Sequence, residues 1–244
     1  MNEAVLAHRT STVTLVAIFV CTACSSPRES HVRDGAVVKV AGEMRSVMQR
    51  GDLSATINLD TVEDRQHLYG IGPLDSLTGE ITILDGVAYY SIIVNDKQAL
   101  GQSFTIKAPF FVYANVPTWD EIQIPDSVTT EIHLDEFITA VSEQRQEPFV
   151  FTITATIDTA DIHIVSLPTG TVINSPADTH IGQKNLTLIN SSVDLVGFFS
   201  RNHKGVFTHH DSNIHLHLIT ADRTSMGHVD RLRLRGSTVL NVQK

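Results

Sequence analysis

Residues 212–230 read "SNIHLHLITADRTSMGHVD". Ile214, Leu216 and Leu218 alternate with His215, His217 and Ile219, the period-two pattern of a β-strand. Residues two apart on a strand share a face. One face is therefore apolar, and the other presents two imidazoles roughly 7 Å apart along the chain. Residues 220–226 have turn character, and Gly227 permits an unusual backbone angle beside His228. If residues 227–234 return as the partner strand, His228 faces the same pocket as His215 and His217.

Three histidines leave a tetrahedral zinc with one open position, the arrangement of catalytic rather than structural zinc. Zinc also suits neutral imidazole and needs no redox partner. The other reading of the same residues is a set of polar side chains on a wet strand face. A cupin-type metal enzyme also begins with His-x-His. It normally needs a Glu a few residues later, and none lies between His217 and His228.

Outward from this hairpin the pattern stays β-rich. "PFVFTITATIDTADIHIVSL" (148–167) reads as one long strand or a pair, and "LTLINSSVDLVGFFS" (186–200) as another strand region. Upstream, two β-rich runs over 80–84 and 87–94 are joined by Asp85 and Gly86, a strong hairpin signal. "SFTIKAPFFVYANV" (103–116) supplies one or two more strands, and "LSATINL" (53–59) alternates as a strand. "GEMRSVMQRG" (42–51) makes a short helix closed by Gly51, and "TVEDRQHL" (61–68) a further helical turn. In "HLDEFITAVSEQ" (133–144), Leu134, Phe137, Ile138 and Val141 share one helical face. The expected fold class is α+β, predominantly mixed β-sheet. Two β-rich lobes with few helices, over 41–147 and 148–244, hold the metal site between them.

The first residues carry a different message. "STVTLVAIFVCTACSS" (11–26) is a short apolar run with a small-residue exit, which reads as a signal segment over 1–23. It is too short and too interrupted by Ser and Thr for a membrane span. "CTAC" resembles a bacterial lipobox, although Cys21 stands where Leu is usual, and an ordinary cleaved signal is the competing reading. On the lipobox reading Cys24 carries a lipid anchor, residues 24–40 form a disordered tether, and the protein sits in the cell envelope. Cleavage before Cys24 leaves no cysteine pair for a disulfide and no thiolates for a metal. The net charge is −9, and "RLRLRG" (231–236) is the one basic stripe, which argues against nucleic acid as a partner.

"HLHLITADRTSMGHVD" (215–230) resembles the zinc-binding stretch of α-acetolactate decarboxylases, in which His-x-His, an acidic-Arg turn and Gly-His follow in this order. "LYGIGPLDSLTGEITILDG" (68–86) is similar to their upstream segment, where Gly-Glu opens a strand ending in Asp-Gly, and "LVGFFS" (195–200) to their Val-Gly-Phe element. The resemblance covers most of residues 42–235. It implies decarboxylation of 2-acetolactate, a small hydroxy-keto acid, to acetoin. It also implies His215, His217 and His228 as ligands of Zn2+, and Glu80 as the glutamate that reaches the site from the first lobe. A homodimer is a further expectation.

Two features of the family are missing. Its Arg after the long strand that opens the second lobe corresponds to "ADIHIVSLP" (160–168), where His163 or Ile164 stands. A His replaces an Arg as a cation only when protonated. Its Glu beyond the metal hairpin has no counterpart, since no acid follows Asp230. Instead "RNHKGVFTHHDSN" (201–213) precedes the metal strand. Either it is a polar surface loop, or it rebuilds the pocket wall with Arg201 or His210 supplying the missing charge. A non-catalytic metal-containing lipoprotein on the same fold is the alternative function.

Overall fold

The computed structural model describes Met1 and residues 36–244. The expected signal segment and Cys24 fall outside the described residues. In chain order the elements are β1 (Lys39–Ala41), α1 (Met44–Arg50), β2 (Ile57–Asn58), β3 (Leu68–Pro73), β4 (Gly79–Leu84), β5 (Val87–Val94), β6 (Lys97–Gln102), β7 (Lys107–Ala108) and β8 (Phe111–Asn115). There follow β9 (Trp119–Ile124), α2 (Glu131–Val141), β10 (Phe149–Ile164), β11 (Lys184–Phe199), β12 (Ile214–Thr220), β13 (Met226–Leu234) and β14 (Thr238–Gln243).

These strands form two six-stranded sheets, ordered β1-β8-β3-β4-β5-β6 and β11-β12-β13-β10-β14-β9, with β2 and β7 as a separate pair. The β-dominated α+β class and the two sheets match expectation, but among the described residues the named strands pair antiparallel throughout rather than in a mixed sheet. The connections explain this. Tight turns join β4 to β5 and β5 to β6, and an antiparallel pair needs no crossover helix. Asp85 and Gly86 both take positive φ, 45° and 80°, as a two-residue turn of twisted strands requires.

β10 runs unbroken for 16 residues. It pairs with β11 along one edge and with β13 and β14 along the other. Because β12 lies between β11 and β13, strands β10 to β13 close a circuit. Its interior is apolar, with Ile153, Ile157, Leu195, Leu216, Leu218 and Leu232 all buried. Helix α2 covers this cluster with Leu134 and Ile138, and Phe137 and Val141 pack at its margin, which is the face read from the sequence. The helix starts at Glu131 because the Thr130 side chain accepts from His133 N at 3.3 Å.

Four expectations shift. Residues 39–41 pair with β8, so the tether expected to run to residue 40 is already part of the first sheet at its end. β9 pairs with β14 and α2 packs on the second sheet, so residues 119–141 belong with the second lobe and not with the 41–147 segment. "LSATINL" yields only the two-residue β2, and the turn expected over 61–68 is a single 3-10 turn at Leu59–Thr61. The sheets meet through Tyr69, Ile71 and Val112 of the first and Val150, Val196 and Phe198 of the second. This contact lets a residue of β4 face a residue of β12.

Candidate metal centre

Both faces of β12 are buried, which explains why its sequence alternates apolar side chains with imidazoles rather than with charges. Leu216 and Leu218 enter the interior of the closed circuit, and His215 and His217 face the other way. The turn to β13 is built from its own side chains. The Thr220 hydroxyl accepts from Ser225 N at 3.0 Å and donates to Asp222 Oδ1 at 2.7 Å, and Arg223 reaches back to Asp194 at 2.7 Å. The resulting register sets His217 directly opposite His228. Gly227 serves this register by close approach and not by an unusual backbone angle. A Cβ there would meet the His163 carbonyl oxygen at 2.5 Å, so only glycine lets β13 lie this close to β10.

One ring nitrogen from each of His215, His217 and His228 lies within 4.8 Å of the others. His215 Nε2 and His228 Nδ1 are 3.1 Å apart. All three rings are buried, His217 completely. Burial, followed by mutual repulsion among the histidines, holds His215 and His228 well below the usual imidazole range and takes His217 down to about 3. The rings are thus neutral, the form that ligates a metal.

β4 brings two more polar side chains from the first sheet. Thr82 Oγ1 lies 3.0 Å from His217 Nδ1. Glu80 Oε2 lies 3.8 Å from His217 Nε2. That separation is too long for a hydrogen bond, and a neutral His217 makes it no ion pair. Glu80 is 3% exposed, and its Oε1 accepts from Val165 N at 3.2 Å. Burial pushes the Glu80 carboxyl up to about 7, against the opposing attraction of His163. His163 lies on β10 opposite His228, with ring centroids 4.7 Å apart. Its Nδ1 meets Asp230 Oδ1 at 2.7 Å. Burial lowers the His163 pKa, but the Asp230 hydrogen bond and the Glu80 charge outweigh it and the net shift is upward. His163, His228 and Asp230 form a second convergent group that shares His228, in which the short bond already occupies His163 Nδ1 and Asp230 Oδ1.

Two expected site residues are elsewhere. Arg201 is clamped to Glu147 and to Thr139 O and Ser142 Oγ at the end of α2, at 2.7 and 3.1 Å. Its guanidinium is spent on docking that helix. His210 is exposed, whereas its neighbour His209 turns inward, 5.3 Å from His228 between ring centroids. His209 lines a groove of about 710 Å3 between α2 and the hairpin, together with Glu131, Asp135, Asp211, His228 and Asp230. The i, i+2 spacing on a strand was the available signal for Thr82 beside Glu80 and for Asp230 beside His228. Nothing local distinguished His209 from His210.

The donor set fits a zinc ion. Three neutral imidazoles converge, and His217 Nε2 is fully buried without a hydrogen-bond partner, a costly arrangement unless something else occupies its lone pair. Three solved structures similar to this chain share its fold. An alpha-acetolactate decarboxylase from Bacillus subtilis strain 168 aligns at a TM-score of 0.69 and 18% identity, over 84% of each chain. An acetolactate decarboxylase from Bacillus subtilis subspecies spizizenii aligns at 0.70 and 19%, over 84% of this chain and 85% of that one. A Staphylococcus aureus protein of unknown function, described as similar to alpha-acetolactate decarboxylase, aligns at 0.68 and 18%, over 84% of each. Comparison with curated proteins gave no match. The sequence profile of the family described as Alpha-acetolactate decarboxylase spans residues 42–244, from the start of α1 through both sheets and the histidine hairpin to the final strand. With this match over most of its length, the chain belongs to the alpha-acetolactate decarboxylase family.

Proposed function

We propose that the protein is a zinc-dependent carbon–carbon lyase that decarboxylates 2-acetolactate, or a related 2-hydroxy-3-oxo acid, to acetoin or the corresponding hydroxyketone. The observation that carries this reading is the convergence on His217. Two sheets bring a buried carboxyl, Glu80 Oε2, to 3.8 Å from an unpartnered ring nitrogen of the histidine triad.

His215, His217 and His228 would hold the ion, and zinc bound there would supply Lewis acidity to the adjacent hydroxyl and carbonyl oxygens of the substrate. Loss of carbon dioxide breaks a carbon–carbon bond and leaves an electron pair that moves onto the ketone oxygen. A proton must then reach carbon. Burial pushes the Glu80 carboxyl of the metal-free protein up, and a buried carboxyl beside the triad is suited to hold and deliver this proton. Val165 N–H engages Oε1, so the proton is directed to Oε2, the oxygen on the triad side. His163 commits Nδ1 to Asp230 and keeps Nε2 for a substrate carboxylate. Protonated, it supplies the cation that the family provides as Arg.

Purified protein stripped by a chelator is expected to form no acetoin from 2-acetolactate and to regain turnover on addition of zinc. Absence of acetoin in both states would overturn the reading. Full zinc loading without turnover would instead support a non-catalytic metal protein, the reading that the exchange of Arg for His163 favours. We further propose that Cys24 anchors the chain in the cell envelope. Cys24→Ser is expected to move the protein from the membrane to the soluble fraction, and a variant that stays membrane-bound would refute the anchor.

A further inference from the structure

We infer that Thr82 is a positioning residue of the metal centre, whose hydroxyl orients the His217 ring so that Nε2 faces the ion. The inference rests on the reading of His215, His217 and His228 as ligands. Thr82 is fully buried on β4, between Ile81 and Ile83, which pack into the apolar cluster on the far side of the first sheet. A hydroxyl in such a place needs a partner, and its hydrogen bond is to His217 Nδ1 at 3.0 Å.

Glu80 lies two residues earlier on the same face of β4, 3.8 Å from Nε2 of the same ring. One strand of the first sheet therefore addresses both nitrogens of a ligand from the second. Turning the ring over would exchange Nδ1 with a ring carbon and break the bond to Thr82. Among the described residues this is the sole side-chain hydrogen bond made to the triad from outside it.

The chemistry of the partner matters. A ring that ligates through Nε2 carries its proton on Nδ1, and the Thr82 oxygen accepts it. A hydroxyl can also donate to a bare Nδ1, so the same residue satisfies the ring whichever nitrogen holds the proton. It adds no charge to a pocket that already contains Glu80 and Asp230, where a third carboxylate would repel both.

The test uses the full-length protein, stripped of metal and titrated with Zn2+ against a competing chromogenic chelator. Co2+ serves as the spectroscopic probe. Thr82→Val keeps the branched shape and removes the hydroxyl. It is expected to raise the Zn2+ dissociation constant about 10- to 100-fold, the usual effect of losing a ligand's outer partner. It should also change the visible absorption of the Co2+ form. Thr82→Ser restores the hydroxyl and is expected to restore both affinity and spectrum. If the valine variant fails to fold, Thr82→Ala takes its place with the same expected loss. Wild-type affinity and spectrum in the valine or alanine variant would overturn the inference. So would a serine variant as weak as the valine one, since only the methyl group would then matter. A wild-type protein that takes up no Zn2+ would overturn the triad reading itself, a result distinct from a loaded wild type with indifferent Thr82 variants.

Discussion

Glu80→Gln separates function from stability at one residue, because the two should move in opposite directions. The carboxyl is buried and its pKa rises from 4.5 to about 7. A raised carboxyl pKa means that the folded state resists ionisation more than the unfolded state does. Stability is therefore lost as pH climbs from the unfolded value through about 7, and the deficit is complete above that. At 1.36 kcal/mol per pKa unit, the deficit at pH 8 is about 3 kcal/mol. Glutamine keeps the volume and an acceptor for Val165 N, and it brings an amide that can donate toward the unpartnered His217 Nε2. In chelated protein the variant should match the wild type near pH 4.5 and exceed it by about 1–3 kcal/mol at pH 8. Urea melts of both proteins across this range give the difference directly, and histidine titrations common to both cancel. Turnover of the zinc form should fall at least about a hundredfold, the usual effect of losing a general acid or base. A variant with normal turnover would remove Glu80 from the mechanism. A chelated variant less stable than wild type at pH 8 would refute the claim that the carboxylate is held there at a cost.

His215→Ala combined with His217→Ala should abolish zinc binding, and elemental analysis showing a loaded double variant would relocate the site. Arg201→Ala should leave turnover near wild type, because Arg201 docks α2 and does not reach the triad. It should lower stability by about 1–3 kcal/mol, a buried-pair loss reduced for partial exposure, measurable by thermal or urea unfolding.

Much of this architecture was legible in the chain. Alternation of Ile214, Leu216 and Leu218 with His215 and His217 requires a strand with unlike faces, and the turn at Asp85 and Gly86 requires a hairpin, because both are consequences of backbone geometry within a few residues. The pairing of His217 with His228 follows from the same local rules, with the turn between them closing on Thr220. The family resemblance then pointed to Glu80 as the residue arriving from the first lobe.

Only the tertiary structure decided which residues share the centre across large separations. Arg201 and His210 have the right chemistry and the right neighbourhood in sequence. Yet Glu147 and the end of α2 capture one, and solvent takes the other. Thr82 and His217 are 135 positions apart and meet because the two sheets bury apolar faces against each other. The partnership of His163 with Asp230 depends on a register between β10 and β13 that contains bulges. The role of Gly227 follows from how near another strand's carbonyl lies. A strand's sequence specifies which side chains share a face. What that face meets is set by packing of distant segments, where burial is non-directional and leaves no local mark.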